Sequence, residues 1–348
     1  MNHVTKLFKF KNWWAPKIGT GVFTWFLFKI YFRFNQDLIF EKSHWLVFVI
    51  LVLLAFFGHL VNDISDLKQD IQVGKENIWN IINPKFSLLI LIVLSFISIA
   101  FASLVSSQLI VLIFIQITLN LLYSVRPLRF KERGWLSIII TGFYERTLPY
   151  LIIVVSLNIM IEFNFRNLLF IISYFLWAYL WECRNYINGQ LKDRENDLHA
   201  GSNTLAVVVE REKLVTFKRY LFFLEFLMVA SWLFAFSLHN SLFFFIFFGV
   251  LSFIVLTHFH VINNLFYVKK LESFLDFMYT HAWLSAMMIA SMMILLETNF
   301  FFNITLLLLF TSSYTIEIVK FVYRRIFFVI SFVVNQTIYY FRKIFPKN

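Results

Sequence analysis

A long apolar run that begins near Trp45 ends in the stretch NDISDLKQD, residues 62–70. In a helix, Asn62, Asp66 and Asp70 share one face because they recur at every fourth residue, and Asp63 lies beside them. Carboxylates this close repel one another, and the segment before them is apolar enough to enter a bilayer. Such a cluster is costly unless a cation binds to it. The stretch therefore predicts a cation site at one end of a membrane-embedded helix.

A second acidic pair, Asp193 and Asp197, follows another long apolar run and has the same spacing of four residues. One constant offset aligns the two stretches in three pairs: Asp66 with Asp193, Asp70 with Asp197, and Gly74 with Gly201. This repeat predicts two related halves that each deliver carboxylates to one place.

The composition is that of a membrane protein. The chain has 348 residues, of which 60% are hydrophobic and 15% charged, and its mean hydropathy is +0.74. Its apolar residues fall in repeated runs of about 17–25, the length with which a helix spans a bilayer. These features predict an all-α integral membrane protein. The single cysteine, Cys183, excludes an internal disulfide and a cysteine metal cluster.

The hydropathy pattern predicts a bundle of about nine transmembrane helices in two related halves. The candidate spans are 17–34, 45–61, 86–104, 107–123, 136–157, 168–187, 219–238, 242–262 and 281–297. We interpret residues 1–299 as one transmembrane domain and residues 300–348 as a hydrophobic, basic helical extension. Within the extension, the run 326–341 is flanked by basic residues and can either span the membrane or lie along its surface.

The distribution of Lys and Arg among the predicted loops indicates the orientation. One side of the membrane receives 20 of these residues and the opposite side 3. Cytoplasmic loops carry the excess of positive charge, so both acidic stretches and the N-terminus are expected to face the cytoplasm. The net charge of +11 then mostly reflects the basic residues that orient the protein in the membrane, and no nucleic-acid partner is expected. We expect a multi-pass protein of a bacterial inner membrane.

The acidic stretches suggest a metal site for a phosphorylated substrate. Carboxylate and amide oxygens suit Mg²⁺, which is usually held by a few carboxylates together with substrate phosphates. We call the two acidic stretches the first wall (62–70) and the second wall (193–197). If they face each other, they would bind a diphosphate between them. The alternative is that these acids are solvated loop residues, which would not account for two clusters of matched spacing on one side.

Three motifs together resemble the UbiA superfamily of intramembrane prenyltransferases. They are NDxxDxxxD at 62–70, YSVRPLRFKERG at 123–134 and DxxxD at 193–197. The hydropathy over residues 17–297 fits the nine helices of that family, and the tail beyond residue 300 lies outside the resemblance.

The resemblance implies Mg²⁺-dependent transfer of a prenyl group from a polyprenyl diphosphate to a small acceptor, for which we choose an aromatic compound. The metal ligands that it implies are Asn62, Asp63, Asp66, Asp70, Asp193 and Asp197, of which Asp63, Asp66, Asp193 and Asp197 would be catalytic. The residues that it implies for the diphosphate are Tyr123, Arg126, Arg129, Lys131 and Gln190. Gln190 stands where the repeat would place a counterpart of Asp63, so the second wall carries fewer charges. Membrane lipid is the remaining expected partner.

Several charged residues keep two interpretations. Glu145 and Arg146 lie inside a predicted span, where they could line an acceptor site or neutralise each other. His59, one turn before Asp63, could reach the acceptor or be a packing residue. Arg184 could contact phosphate or be one of the positive residues of the cytoplasmic side. A transporter is the alternative function, because it also places carboxylates in membrane helices, although nearer the bilayer midplane.

Overall fold

The computed structural model describes residues 14–33, 41–74, 77, 79, 84–239, 241, 244–249 and 279. These residues form helices and turns and contain no β-strand, which confirms the all-α prediction for the part described. The helices below belong to one compact unit, Met1–Phe244. Of a second unit, Phe245–Asn348, only residues 245–249 and 279 are described.

Eight helices make up the described part of the first unit. They are α1 (Thr20–Arg33), α2 (Lys42–Gln72), α3 (Ser87–Ser103), α4 (Ser107–Ser124), α5 (Trp135–Ser156), α6 (Phe165–His199), α7 (Leu205–Val208) and α8 (Arg211–His239). A π-helical turn, Trp14–Gly19, precedes α1, and a second one, Phe143–Thr147, interrupts α5.

Within the described residues, four helices are long and apolar enough to cross a membrane, namely α2, α4, α5 and α8, and α3 is a shorter apolar helix. The protein is therefore a helical membrane protein. Helices α1 to α6 and α8 coincide with the first seven predicted spans. The predicted spans 242–262 and 281–297 and the extension 300–348 lie outside the described residues, so the count of nine and the boundary at residue 299 stay predictions.

The ends of the helices follow from local sequence. The side chain of Asn164 accepts a hydrogen bond of 2.9 Å from the backbone N–H of Asn167 and caps α6, which satisfies one of the free donors of its first turn. At their other ends, α2 and α6 are each followed by a glycine with positive φ, Gly74 at 68° and Gly201 at 65°. Glycine adopts this left-handed conformation without steric cost, so both halves stop their acidic helix by the same device.

Close packing fixes α6 against α5. A Cβ atom added to Gly142 of α5 would lie 2.6 Å from the Sγ atom of Cys183 and 2.8 Å from the ring of Tyr179, both on α6. Such a distance is too short for any side chain. Only glycine therefore allows this approach of the two helices.

A buried ion pair joins α6 to α8. Arg184 and Glu225 are fully enclosed, and the Nε atom of Arg184 donates to Glu225 at 2.7 Å. Arg184 therefore does not line the cavity that the acidic stretches share, so its interpretation as a phosphate contact is wrong, and as a positive residue of the cytoplasmic side it is buried rather than exposed. Its sequence neighbours resemble a cytoplasmic loop, but α6 continues as a helix beyond it to His199.

Candidate active site

Both acidic stretches line one cavity of about 470 Å³. The first stretch occupies the last three turns of α2, and the second occupies the last two turns of α6. The residues of the predicted site that line this cavity are Asn62, Asp63, Asp66, Asp70, Tyr123, Arg129, Lys131, Gln190, Asp193 and Asp197. The expected convergence of the two halves is therefore observed. The acids stand near the ends of continuous helices rather than within broken ones, which favours the transferase interpretation over a carrier.

Asp66 is the centre of a charged network in the first half. Its Oδ1 atom accepts a hydrogen bond of 2.9 Å from Arg129 Nη2 and another from Lys131 Nζ. Lys131 also donates to Asn62 Oδ1 at 3.0 Å. Two cations from the loop after α4 thus offset the repulsion among the carboxylates of α2.

An unforeseen symmetry orients the last acid of each cluster. Asn77 Nδ2 donates to Asp70 Oδ2 at 2.7 Å, and Thr204 Oγ1 donates to Asp197 Oδ2 at 2.9 Å. In each half the donor follows its acid by seven residues. Such partners fix the direction of a carboxylate that binds a ligand. Extending the sequence repeat beyond Gly74 would have aligned the two donors.

The polar side chains of the two acidic stretches differ in exposure. Asp193 is exposed, whereas Asp63 across the cavity is only 5% exposed. The Oε1 atom of Gln190 is buried and has no hydrogen-bond partner in the part of the chain that the structure describes. A buried oxygen without a partner is costly, and a metal ion or a bound donor would relieve that cost.

The basic loop between α4 and α5 separates into inner and outer residues. Arg129, with a left-handed backbone at φ 37°, and Lys131 are 5% and 8% exposed, respectively. Burial lowers the pKa of the Lys131 amine, and the charge of the neighbouring Asp66 opposes that shift. Arg133 donates to the carbonyl oxygens of its own loop. Arg126 is exposed and does not line the cavity, so the structure does not bring it to the predicted site.

The charged residues inside α5 do not neutralise each other. Glu145 pairs with Lys17, at the start of the chain's described part, and lines the cavity. Arg146 pairs with Glu182 of α6 at 2.7 Å. Glu145 therefore faces a cavity, its role towards an acceptor stays a prediction, and the mutual-pair interpretation is wrong. Lys17 and Glu182 line the cavity as well, and no motif in the sequence indicated them.

Two residues with weaker sequence signals also reach the cavity. His59 lines it one turn before Asp63, as its spacing on α2 predicts. The ring of Tyr123 packs against that of Tyr144, with centroids 4.9 Å apart, and both rings are part of the wall. Aromatic surfaces therefore adjoin the carboxylates on the α4 and α5 sides.

The donor set fits magnesium that is bound together with a substrate. It consists of carboxylate and amide oxygens, which are the ligands Mg²⁺ prefers, and the unpartnered Gln190 oxygen lies among them. Among the described residues, no group of three or more His, Cys, Asp or Glu side chains is arranged to hold a metal on its own. Substrate oxygens would have to complete the coordination.

The arrangement defines an integral membrane protein whose two helical halves converge on an acidic cavity. The family model for the UbiA prenyltransferase family matches residues 20–281 of the chain. The protein belongs to that family, as its motifs predict. No functionally curated protein matches the chain by sequence.

Solved structures of similar fold agree with this assignment. A UbiA homologue from Archaeoglobus fulgidus bound to DMAPP and Mg²⁺ is 15% identical with a TM-score of 0.57, over 83% of this chain and 99% of that one. A digeranylgeranylglyceryl phosphate synthase is 16% identical with a TM-score of 0.52, over 82% and 96% of the two chains. A homologue from Aeropyrum pernix K1 is 14% identical with a TM-score of 0.51, over 82% and 98%. At such identities the likeness establishes the fold.

Proposed function

We propose that this protein transfers a prenyl group from a polyprenyl diphosphate to an aromatic acceptor within the membrane, with Mg²⁺ as cofactor. The observation that carries the proposal is the single cavity in which both acidic stretches and Lys131 meet. Family membership and the structures of relatives with DMAPP or GPP and Mg²⁺ support it.

The reaction separates charge, and the proposed site suits that separation. The bond between C1 of the prenyl group and the diphosphate oxygen breaks, and the electron pair leaves with the diphosphate. C1 then bonds to a nucleophilic atom of the acceptor, which loses a proton. The apolar helices of the bundle would shield the allylic cation from water on the side away from the cavity mouth.

Magnesium would be held by Asn62, Asp63, Asp66, Asp70, Asp193 and Asp197. It would neutralise the negative charge that builds on the leaving diphosphate. The proposed diphosphate contacts are Tyr123, Lys131 and Gln190, with Arg129 and Arg126 in lesser roles. Arg129 already faces two carboxylates, Asp66 at 2.9 Å and Glu132 at 2.8 Å, and Arg126 lies outside the cavity. Lys131 is the cation that we expect to turn towards the phosphate.

The proposed location is a bacterial inner membrane with the cavity open to the cytoplasm. The excess of Lys and Arg on the side of the acidic stretches, 20 against 3, supports this orientation.

The test measures transfer of a labelled prenyl diphosphate by the purified full-length protein to a panel of aromatic acceptors. We expect transfer that needs Mg²⁺ and that falls by at least about a thousandfold in Asp193→Ala, because loss of a metal ligand removes several kcal/mol of stabilisation of the developing charge. Glu195→Ala is the matched control, since Glu195 is exposed on the same helix and does not line the cavity. Transfer that survives chelation of magnesium, or equal losses in both variants, would refute the proposal.

A further inference from the structure

A second, smaller cavity lies deeper in the bundle and adjoins the acidic one. Its volume is about 40 Å³, and it shares Lys17, Gly58, Tyr144 and Glu145 with the larger cavity. Along α4 it is lined by Asn120 and Gln116, which lie progressively farther from the Tyr123 end of that helix. We call it the inner cavity. Its polar and charged residues distinguish it from an apolar chamber for an isoprenoid tail.

Gln116, which lines the inner cavity, carries an unused hydrogen-bond acceptor. The side chain is 5% exposed, and its Nε2 atom donates to the carbonyl oxygen of Tyr144 at 2.8 Å. That bond fixes which end of the amide is nitrogen. The Oε1 atom is buried and has no partner among the described residues. A buried acceptor of this kind calls for a donor, such as a hydroxyl group.

The charged groups of the inner cavity already have partners of opposite sign. Lys17 pairs with Glu145, and the guanidinium of Arg146 pairs with Glu182 and lies 3.6 Å from the ring centroid of Trp181. An anionic ligand would have to compete with those carboxylates. The inner cavity therefore favours a neutral, polar ligand group over an anionic one.

The size of the inner cavity limits what enters it. One water needs about 10–15 Å³ of such space, so about 40 Å³ admits a hydroxyl group and its immediate surroundings but no long chain. The body of a ligand would remain in the larger cavity, next to the proposed diphosphate site. Gly58 lines both cavities. A Cβ atom added to it would lie 2.7 Å from Asn120 Oδ1, so a larger residue would crowd the passage from one cavity to the other.

From these observations we infer that the inner cavity is the recognition site for a hydroxyl group of a neutral acceptor. The hydroxyl group would donate a hydrogen bond to Gln116 Oε1. The inference rests on the proposed function and narrows its acceptor to uncharged phenol-like compounds, as opposed to aromatic acids. Gln116 is a specificity-determining residue in this scheme, because a ligand without the hydroxyl leaves its oxygen unpaired.

The experiment compares the binding of naphthol, methoxynaphthalene and hydroxynaphthoate to the purified full-length protein by their fluorescence. We expect wild-type protein to bind naphthol about tenfold to a hundredfold more tightly than methoxynaphthalene, and also more tightly than hydroxynaphthoate. Gln116→Met, which keeps the length of the side chain, should bring the ratio of naphthol to methoxynaphthalene close to one. Leu51→Met, a change of similar volume in the same wall, should preserve it.

Two results would overturn the inference. An unchanged ratio in Gln116→Met would mean that the oxygen is satisfied by water, and tighter binding of hydroxynaphthoate would contradict the neutral acceptor. Binding is measured without prenyl diphosphate or magnesium, so it separates this inference from the proposed function. If the naphthol preference depends on Gln116 but no prenyl transfer occurs, the proposed function alone fails.

Discussion

Replacing Asp66 by alanine should cost stability as well as activity. Crowding of carboxylates on α2 would predict the opposite, because removing one like charge relieves repulsion. In the structure, however, Asp66 Oδ1 accepts hydrogen bonds from two cations, Lys131 and Arg129, whose side chains are 10% and 7% exposed. Among the described residues, their one other carboxylate contact is Glu132, which pairs with Arg129 at 2.8 Å.

The magnitude follows from the burial of these cations. Removing one partner of a buried pair costs about 3–5 kcal/mol, and the 19% exposure of Asp66 places the expected loss at the lower end, about 3 kcal/mol. With an unfolding entropy of about 2.1 cal/mol/K per residue over 348 residues, that loss corresponds to a fall in melting temperature of roughly 4 °C. Asp193→Ala should melt close to wild type, because Asp193 is exposed.

The assay is thermal unfolding of both variants in detergent without added magnesium, beside their transferase activity. Both should be inactive, and only Asp66→Ala should be less stable. Asp66→Asn serves as a further control, because it keeps an acceptor oxygen and should lie between alanine and wild type. An Asp66→Ala variant that melts like wild type would refute the argument, because it would show that Lys131 and Arg129 do not depend on this carboxylate.

Three other predictions concern the bundle. Arg184→Met should lower the melting temperature strongly, because it leaves the buried carboxylate of Glu225 without its cation. The double variant with Glu225→Leu should recover much of that loss. A double variant less stable than either single one would contradict this. Gly142→Ala should lower the melting temperature, because its Cβ atom would overlap α6. Gly189→Ala should be neutral or stabilising, because its Cβ atom would have no neighbour within 4 Å. The reverse order would disprove the close approach of α5 and α6. Glu195→Cys in intact cells should react with a membrane-impermeant maleimide only after the cytoplasmic side is exposed, and prior labelling from outside would reverse the orientation.

The sequence predicts the described fold well because its strongest signals are physical requirements of a membrane. A spanning helix needs a long apolar run, so the first seven predicted spans coincide with helices. The repeat also predicts the meeting of the two clusters, because helices of related halves end alike. The glycines after Asp70 and Asp197 have nearly the same φ angle, which supports that repeat in detail.

The pairing of buried charges could not be predicted in this way. Glu145 and Arg146 are neighbours in sequence, yet Lys17 and Glu182 are their partners, because each of the two projects from the π turn of α5 to a different element. Sequence spacing says nothing about which distant helix faces a given side chain. The same limit applies to Arg184, whose partner Glu225 lies 41 residues away.

The π turn Phe143–Thr147 makes the position of a deletion in α5 matter more than its size. A π turn accommodates one residue more than the α-helical count, so a deletion there restores a regular helix and leaves the later residues in place. A deletion in the regular first half of α5 would instead rotate every later residue by about 100°. Pro149 and Tyr150 would then leave the wall of the inner cavity, although neither had been changed. Relatives with an uninterrupted fifth helix will align with this chain only across a one-residue gap inside that helix.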